Sequence, residues 1–500
     1  MLKKRLNRII LCILAIIATI SVHAQTKIAV LSDIHVMSPE LIVNDGTAWQ
    51  KFLASDRKLL DYSQEVYDVL IEKFLASKPD ILLITGDLTK DGEMASHQYV
   101  VAGLERLREA GVRVYVIPGN HDRGTENAFI FDGDNRTKAE VASASDFEKL
   151  YQNYGYNSAS VRESTTLTYA CEPVEGLVLI GIDSGNNGSL STTTLNWVCL
   201  QAQKARNEGK QVIAMMHHPL FPHVNNLEKF MGSYRVNDHE NVRNRLIDSG
   251  IRVILTGHVH MSDIAKDYNA NLTDSIYDVN TGSSISYPCE YRVMTLSEDM
   301  KLLSIRTGHV TSLPSDEDFG NTAKTRLQGY AQKYASSITS NEMFVNILTA
   351  MITLHAEGSE NRSSDARSLI SLYKMGSSVL KNNASLTAKL KARGLTWEDA
   401  EATMYSMLED KSSYGVEGRE DQTNDLRLDI EMPDMQNPIS TLRGDINRDG
   451  VVNIVDVVAL VNIVLDLPLS YNYDMEAADL DGNGVINITD AINLLNIIMG

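Results

Sequence analysis

The chain has 500 residues, a formal net charge of -19 at pH 7 and a sequence pI near 5.1. That length exceeds what one hydrophobic core organises, so several domains are expected. A content of 43% hydrophobic and 22% charged residues is globular. The acidic balance argues against a protein that coats nucleic-acid polymers or anionic membranes, because both tasks require a basic face.

Residues 1–24 read as a cleaved export signal. Lys3, Lys4, Arg5 and Arg8 form a basic start, Ile9 to Val22 an apolar stretch, and Val22-His23-Ala24 a small-residue cleavage site. The apolar stretch is shorter than the roughly 20 residues of a spanning helix, which disfavours the alternative of a retained anchor. The mature chain is therefore expected to be periplasmic, cell-surface or secreted, without a membrane span. Its three cysteines, Cys171, Cys199 and Cys289, are odd in number and form no CxxC pair, so they read as buried thiols.

From Lys27 to about Thr307, strand-like runs alternate with helix-like stretches such as Ser63 to Ala76 and His97 to Ala110, an α/β pattern. The later runs Ser275 to Asn280, Arg292 to Leu296 and Leu302 to Arg306 follow one another without helices and suggest a second, more antiparallel sheet. This predicts a sandwich domain over 25–312. Over 313–436 strands vanish and helical periods appear around 323–336, 341–356, 365–380 and 396–408, followed by linker-like polar and Pro-rich stretches. Residues 437–500 hold an internal duplication with a 34-residue offset.

Five short apolar runs each end in a metal-ligand type of sequence: Asp33-Ile-His35, Gly86-Asp87, Gly119-Asn120-His121-Asp122, His217-His218-Pro219 and Gly257-His258-Val259-His260. The runs are Lys27 to Leu31, Ile81 to Thr85, Val112 to Ile117, Val212 to Met216 and Val253 to Thr256. Ligands from five strand ends are expected to converge on one edge of a sheet. Two divalent cations a few ångströms apart need a bridging carboxylate with oxygen and imidazole ligands, and these segments supply that inventory.

In this order the motifs resemble the calcineurin-like metallophosphoesterase superfamily over residues 27 to 307. The stretches Asp33 to Glu40 and Gly86 to Glu93, with Ser96-His97, resemble the branch of class III cyclic-nucleotide phosphodiesterases. The resemblance implies a four-layer αββα sandwich and two transition-metal ions, Fe, Mn or Zn. It makes Asp33, His35 and His260 ligands of the first metal and Asn120, His217 and His258 ligands of the second, with Asp87 bridging. His121 would contact the phosphate and protonate the leaving oxygen, while a hydroxide held between the cations attacks phosphorus in line. His218 is the alternative to His217, or a support behind the ligands. Glu93 and His97 read equally as substrate contacts or polar residues of a helix start. Tyr287 and His223 fall in segments expected near the metal rim, and His355 with Glu357 and Glu360 reads as a solvated helix end more than as part of a lid.

In the duplicated unit, Asp445, Asn447, Asp449, Gly450, Val451 and Asp456 recur as Asp479, Asp481, Asn483, Gly484, Val485 and Asp490. Side-chain oxygens at positions one, three and five, a Gly at six, a backbone carbonyl at seven and a carboxylate at twelve are what a calcium loop needs. Asp instead of Glu at twelve and the lack of an entering helix resemble dockerin modules. That implies calcium, and a cohesin-like or intramolecular partner. Positions ten and eleven, Ile454-Val455 and Ile488-Thr489, are more apolar than the hydroxyl pairs of standard dockerins.

The whole reads as an exported phosphoesterase acting on a small phosphate ester, with phosphodiesters favoured. Phosphomonoesters or lipid headgroups are the alternative on the same scaffold, and a docking component that has lost catalysis is the alternative outside enzymes.

Overall fold

The computed structural model describes residues 25–232, 234–358, 364–409, 425–434, 442–448, 451–467 and 473–499. Residues 1–24, expected as an export signal, Glu360, Asp449, Gly450 and most of the polar linker therefore lie outside the described residues. Among the described residues no helix is long and apolar enough to cross a membrane, and Cys171, Cys199 and Cys289 are buried free thiols.

Two sheets stack face to face. The first runs in the order β16-β15-β14-β1-β3-β4, with β1 Thr26–Leu31, β3 Ile81–Ile84, β4 Arg113–Val116, β14 Glu290–Leu296, β15 Leu302–His309 and β16 Arg427–Glu431. The second runs β12-β13-β11-β10-β9-β8-β7, with β7 Val161–Arg162, β8 Tyr169–Val174, β9 Leu177–Ile182, β10 Gln211–Met216, β11 Val253–Thr256, β12 Asp263–Tyr268 and β13 Ser275–Asn280. A small third sheet, β2 Ile42–Asn44 with β5 Phe129–Asp132 and β6 Asn135–Lys138, is hydrogen-bonded separately and packs Phe131 into the core of the first.

Strand periodicity explains the layering. Ile213 and Met215 of β10 share one core with Ile28 and Val30 of β1, Leu83 of β3 and Met294 of β14; Val212, Ala214 and Met216 belong to a second core with the Thr192–Asn207 helix. The Ser63–Ser77 and Met94–Glu109 helices cover the other side of the first sheet through Val66, Leu70, Phe74, Val100 and Leu104. The result is the expected αββα order.

Three expectations are corrected. The five ligand-bearing runs do not share one sheet: β1, β3 and β4 lie in the first and β10 and β11 in the second, so their ends meet across the sandwich. The later runs do not form a separate antiparallel sheet either. Glu290–Leu296 and Leu302–His309 extend the first sheet, whereas Ser275–Asn280 pairs parallel with β11 in the second. The span 313–436 is not purely helical, because β16 pairs antiparallel with β15.

The helical region, with helices Phe319–Ile338, Glu342–Glu357, Ser364–Lys381, Ala384–Ala392 and Trp397–Glu409, has its own core around Phe344, Met351, Tyr373 and Leu408. It also seats against the loop after β10. The backbone N–H of Asn225 donates to Ser406 Oγ (3.0 Å) and the side chain of Asn226 to the Asp399 carbonyl (3.2 Å). His355 is buried rather than solvated, and Glu357 accepts from Tyr287 Oη at 2.7 Å and from Lys324 Nζ at 2.8 Å.

His223, expected near the metal rim, is tied up by two buried carboxylates. It is buried with Nδ1 3.0 Å from Asp263 and Nε2 3.1 Å from Asp278, pinning the loop after β10 to β12 and β13. Burial works against its charge, but the two carboxylates outweigh it and raise its pKa to about 10. A raised folded-state pKa contributes stability that is fully present below the unfolded value, about 6.5, and is lost as pH rises through about 10. His223→Leu should cost about 3–5 kcal/mol by leaving buried carboxylates unpaired. Denaturant unfolding should show this loss at pH 6 and a much smaller one above pH 10.

Candidate metal centre

The ligand residues leave their strands through turns that ordinary side chains avoid. Asp33 (φ 50°), His35 (φ 38°), Asp87 (φ 53°), His258 (φ 72°) and His260 (φ 60°) all have left-handed backbones. Such conformations cost about 1–3 kcal/mol each where a non-glycine residue is held in them, and they persist only when the surroundings enforce them. Here they turn five polar side chains inward at the strand ends.

The glycines of the motifs make room for the ligands. A Cβ on Gly119 would lie 2.2 Å from Asp87 Oδ1, and one on Gly257 would lie 1.9 Å from Ser32 Oγ and 2.5 Å from Asp33 Oδ2. Each glycine thus lets the backbone pass directly against a ligand carried by another strand.

Two donor groups result. Asp33, His35, Asp87 and His260 form one and Asp87, His217 and His258 the other, with the ligand atoms of each group within 4.8 Å of one another. Asp87 Oδ2 lies 3.5 Å from His35 Nε2 and 3.3 Å from His217 Nε2, while Oδ1 accepts the His121 backbone N–H at 2.7 Å. Asn120 Oδ1 is 3.0 Å from His217 Nε2, which brings it to the second group. All seven residues expected as ligands therefore converge.

The surrounding bonds aim the donors. His35 Nδ1 donates to the Thr89 carbonyl (3.3 Å) and His217 Nδ1 to the Thr85 carbonyl (2.9 Å), which leaves both Nε2 lone pairs facing inward. His35 Nε2 and His260 Nε2 stand 3.0 Å apart, and the buried Asp33 Oδ1 has no hydrogen-bond partner among the described residues, although His260 Nε2 is 3.2 Å away. Converging lone pairs and an unsatisfied buried carboxylate oxygen suit a cation. Burial keeps His35 well below the usual imidazole range and brings His258 to about 3 and His260 to about 4, so all three are neutral donors.

His218 belongs to neither donor group. Its Nδ1 bonds Ser184 Oγ at 2.8 Å and its ring packs against His258 (centroids 4.5 Å apart), so it supports a ligand from behind. His97 and Glu93 are structural: His97 bonds the Tyr151 hydroxyl (2.8 Å) and the Asp122 carbonyl (3.0 Å), and Glu93 lies buried beside Lys90.

His121 stands at the rim, its ring edge-on to His35 with centroids 4.9 Å apart. Its Nδ1 is 2.8 Å from Asp91 Oδ1, a partner the sequence reading missed although Asp91 lies within the quoted Gly86 to Glu93 stretch. Burial opposes the charge on both groups. The Asp87 and Asp91 carboxylates nevertheless raise the pKa of His121, and His121 with Lys90 brings Asp91 down to about 2. Arg57 and Lys58 were also missed. Beyond the effect of burial, both positive charges lower the pKa of His260, and Lys58 also acts on His35 and His121.

In the C-terminal repeat, the second loop brings Asp479, Asp481 and Asp490 together with ligand oxygens within 4.8 Å. Asp490 also accepts from the Leu480 and Asp481 N–H groups at 2.8 and 3.2 Å, and Asp456 in the first copy accepts equivalently from Ile446 and Asn447 at 2.8 and 3.1 Å. The carbonyls of Val451 and Val485 accept from the side chains of Asn453 (3.2 Å) and Asn487 (3.3 Å), and Asn483 bonds Asp481 and the Val485 N–H. Asp445 is buried and Asn447 is partly buried in the first loop, whose Asp449 is not described.

Because Asp87 serves both donor groups, Asp87→Asn should cost the protein both transition metals while leaving its melting behaviour close to wild type. His121→Ala should retain both. Elemental analysis after dialysis separates these outcomes; two metals per chain in Asp87→Asn would contradict the shared-carboxylate geometry.

Residues 26–262 match the family model for calcineurin-like phosphoesterases, and residues 443–499 match that for the dockerin type I domain. A probable cyclic nucleotide phosphodiesterase of Rhodococcus erythropolis is 25% identical over 194 residues, 38% of this chain and 54% of that protein. A probable glycerophosphodiester phosphodiesterase of Arcobacter nitrofigilis is 26% identical over 32% of this chain and 50% of its own length. A cAMP/cGMP dual specificity phosphodiesterase of Mycobacterium tuberculosis is 22% identical over 51% of this chain and 67% of its length. The chain thus spans about half the length of the first relatives it matches. Among solved structures, a dimetal phosphatase from Danio rerio aligns with a TM-score of 0.40 at 12% identity, covering 57% of this chain and 96% of that one. The strand-end ligand sets agree with the two family-model matches: residues 26–262 carry the calcineurin-like phosphoesterase match, and the dockerin type I match follows at 443–499.

Proposed function

We propose that this chain is an exported phosphodiesterase that uses two transition-metal ions, Fe, Mn or Zn, held by Asp33, His35, Asp87, Asn120, His217, His258 and His260. The observation that carries this reading is the single carboxylate, Asp87, within reach of both donor groups and flanked by the rim pair His121 and Asp91. Imidazole with carboxylate suits borderline metals of this kind. When bound, the two ions supply charge neutralisation at the phosphate and water that ionises near neutral pH. The basic start and apolar stretch of residues 1–24 support export.

The protein's own part is positional and proton-carrying. Asp91 occupies His121 Nδ1, so Nε2 is the ring nitrogen free to hold a proton for the departing alkoxide. The positive charges of Arg57 and Lys58 act on His260, and that of Lys58 also on His35, which favours an anionic ester over a neutral one. Relatives described as acting on cyclic nucleotides and on glycerophosphodiesters make a small diester the favoured substrate. On the module, Val455 and Ile488 at the loop ends are exposed, which leaves that face open to a partner, cohesin-like or of another kind that accepts apolar side chains.

A metal-reconstituted panel of a cyclic nucleotide, a glycerophosphodiester, sphingomyelin and matched mono- and diesters tests the substrate class. The diester of a given alcohol should show the higher kcat/KM, and a clear excess for the monoester would overturn the phosphodiesterase reading. His121→Ala should lose about 10²- to 10⁴-fold in rate on poor leaving groups, the usual worth of general acid catalysis, and much less on nitrophenyl esters. An equal loss across the leaving-group series would exclude the acid role.

A further inference from the structure

The dockerin module does not hang free of the phosphoesterase domain. Ile446, Leu460, Ile463, Met475, Ala478 and Leu480 of the module share one buried cluster with Leu195, Trp197, Val198 and Leu200 of the Thr192–Asn207 helix. That helix is buried nearly all round, since one side lies on the second sheet and another faces the module. Helices of this kind need a cover on both sides.

Polar contacts concentrate at one place. The buried Gln203 accepts, through its side-chain oxygen, from the backbone N–H groups of Met475 (3.0 Å) and Glu476 (3.2 Å), capping the short turn Met475–Ala478. Asn207 bonds Glu476, and Lys204 Nζ donates to Asp479 Oδ2. At the other end of the helix Thr193 Oγ1 donates to Asp466 at 3.3 Å.

Asp479 opens the second calcium loop, and its two oxygens are divided. Oδ2 takes Lys204 and the Gly484 N–H (3.0 Å), while Oδ1 is buried with no hydrogen-bond partner among the described residues, on the carboxylate that clusters with Asp481 and Asp490. We propose that the Thr192–Asn207 helix is the module's docking partner within the same chain, and that calcium in the second loop locks this contact because Asp479 serves the ion with one oxygen and Lys204 with the other. Without a cation, three carboxylates within 4.8 Å repel one another and Lys204 touches only one of them. The loop then opens, carrying with it Asp479 and the Met475–Ala478 turn that Gln203 caps. Linkage makes the coupling reciprocal: calcium tightens docking, and docking tightens calcium.

The docked arrangement leaves Ile454, Val455, Val458, Ile488 and Ile492 exposed, so the loop-end face is not consumed by the contact within the chain. The proposal rests on the calcium reading of the second loop and is independent of the catalytic reading.

The test uses the full chain with a protease site placed between Asp434 and Leu442. After cleavage, the 442–500 fragment should co-elute with the remainder in size-exclusion chromatography in calcium and separate in chelator. Lys204→Glu should raise the calcium needed for half-retention by roughly fivefold or more, the lower bound of typical couplings, with unchanged phosphoesterase activity. The milder Lys204→Ala serves if the charge reversal lowers the melting temperature of the phosphoesterase domain. Separation of the wild-type fragment in calcium, equal retention in chelator, or an unchanged calcium requirement in both variants would overturn the proposal.

Discussion

The candidate site depends on one carboxylate that must be in two places at once. Asp87 Oδ2 faces both His35 and His217, and Oδ1 is tied to the His121 N–H. That position exists only because β3 ends in a left-handed turn at Asp87 and because Gly119 has no side chain to displace it. The sandwich enforces the geometry: ligands from both sheets meet over a shared core, so the strained turns cannot relax without separating packed strands.

How much of this was legible in the sequence follows from what each feature depends on. The ligand motifs are local, each a strand end followed by its ligand, so all seven proposed ligand residues converge as expected. Sheet membership is not local. β10 and β11 look like β1 and β3 as apolar runs, and only the pairing of strands distant in sequence assigns them to a different sheet. The edge strand Arg427–Glu431 was missed for a similar reason, since it is short, half polar and lies next to linker-like sequence.

Side-chain roles were legible only where one residue type has one plausible use. His223 was expected at the rim from its position after His217, yet Asp263 and Asp278, supplied by another hairpin, capture it. Asp91, Arg57 and Lys58 carry no motif of their own and gain meaning from what folds against them. The duplicated loops were readable because twelve consecutive residues carry the whole pattern, but the side of the module that faces the Thr192–Asn207 helix was not, because Lys204 and Asp479 are 275 residues apart.

The account's central claim is a pair of metal ions bridged by Asp87, and anomalous diffraction from crystals of the manganese-reconstituted protein tests it most directly. The account predicts two peaks about 3.5–4 Å apart, the usual spacing of such pairs, with Asp87 between them, His35 and His260 on one side and His217 and His258 on the other. A single peak in metal-saturated crystals, or two peaks with Asp87 contacting only one, would contradict it.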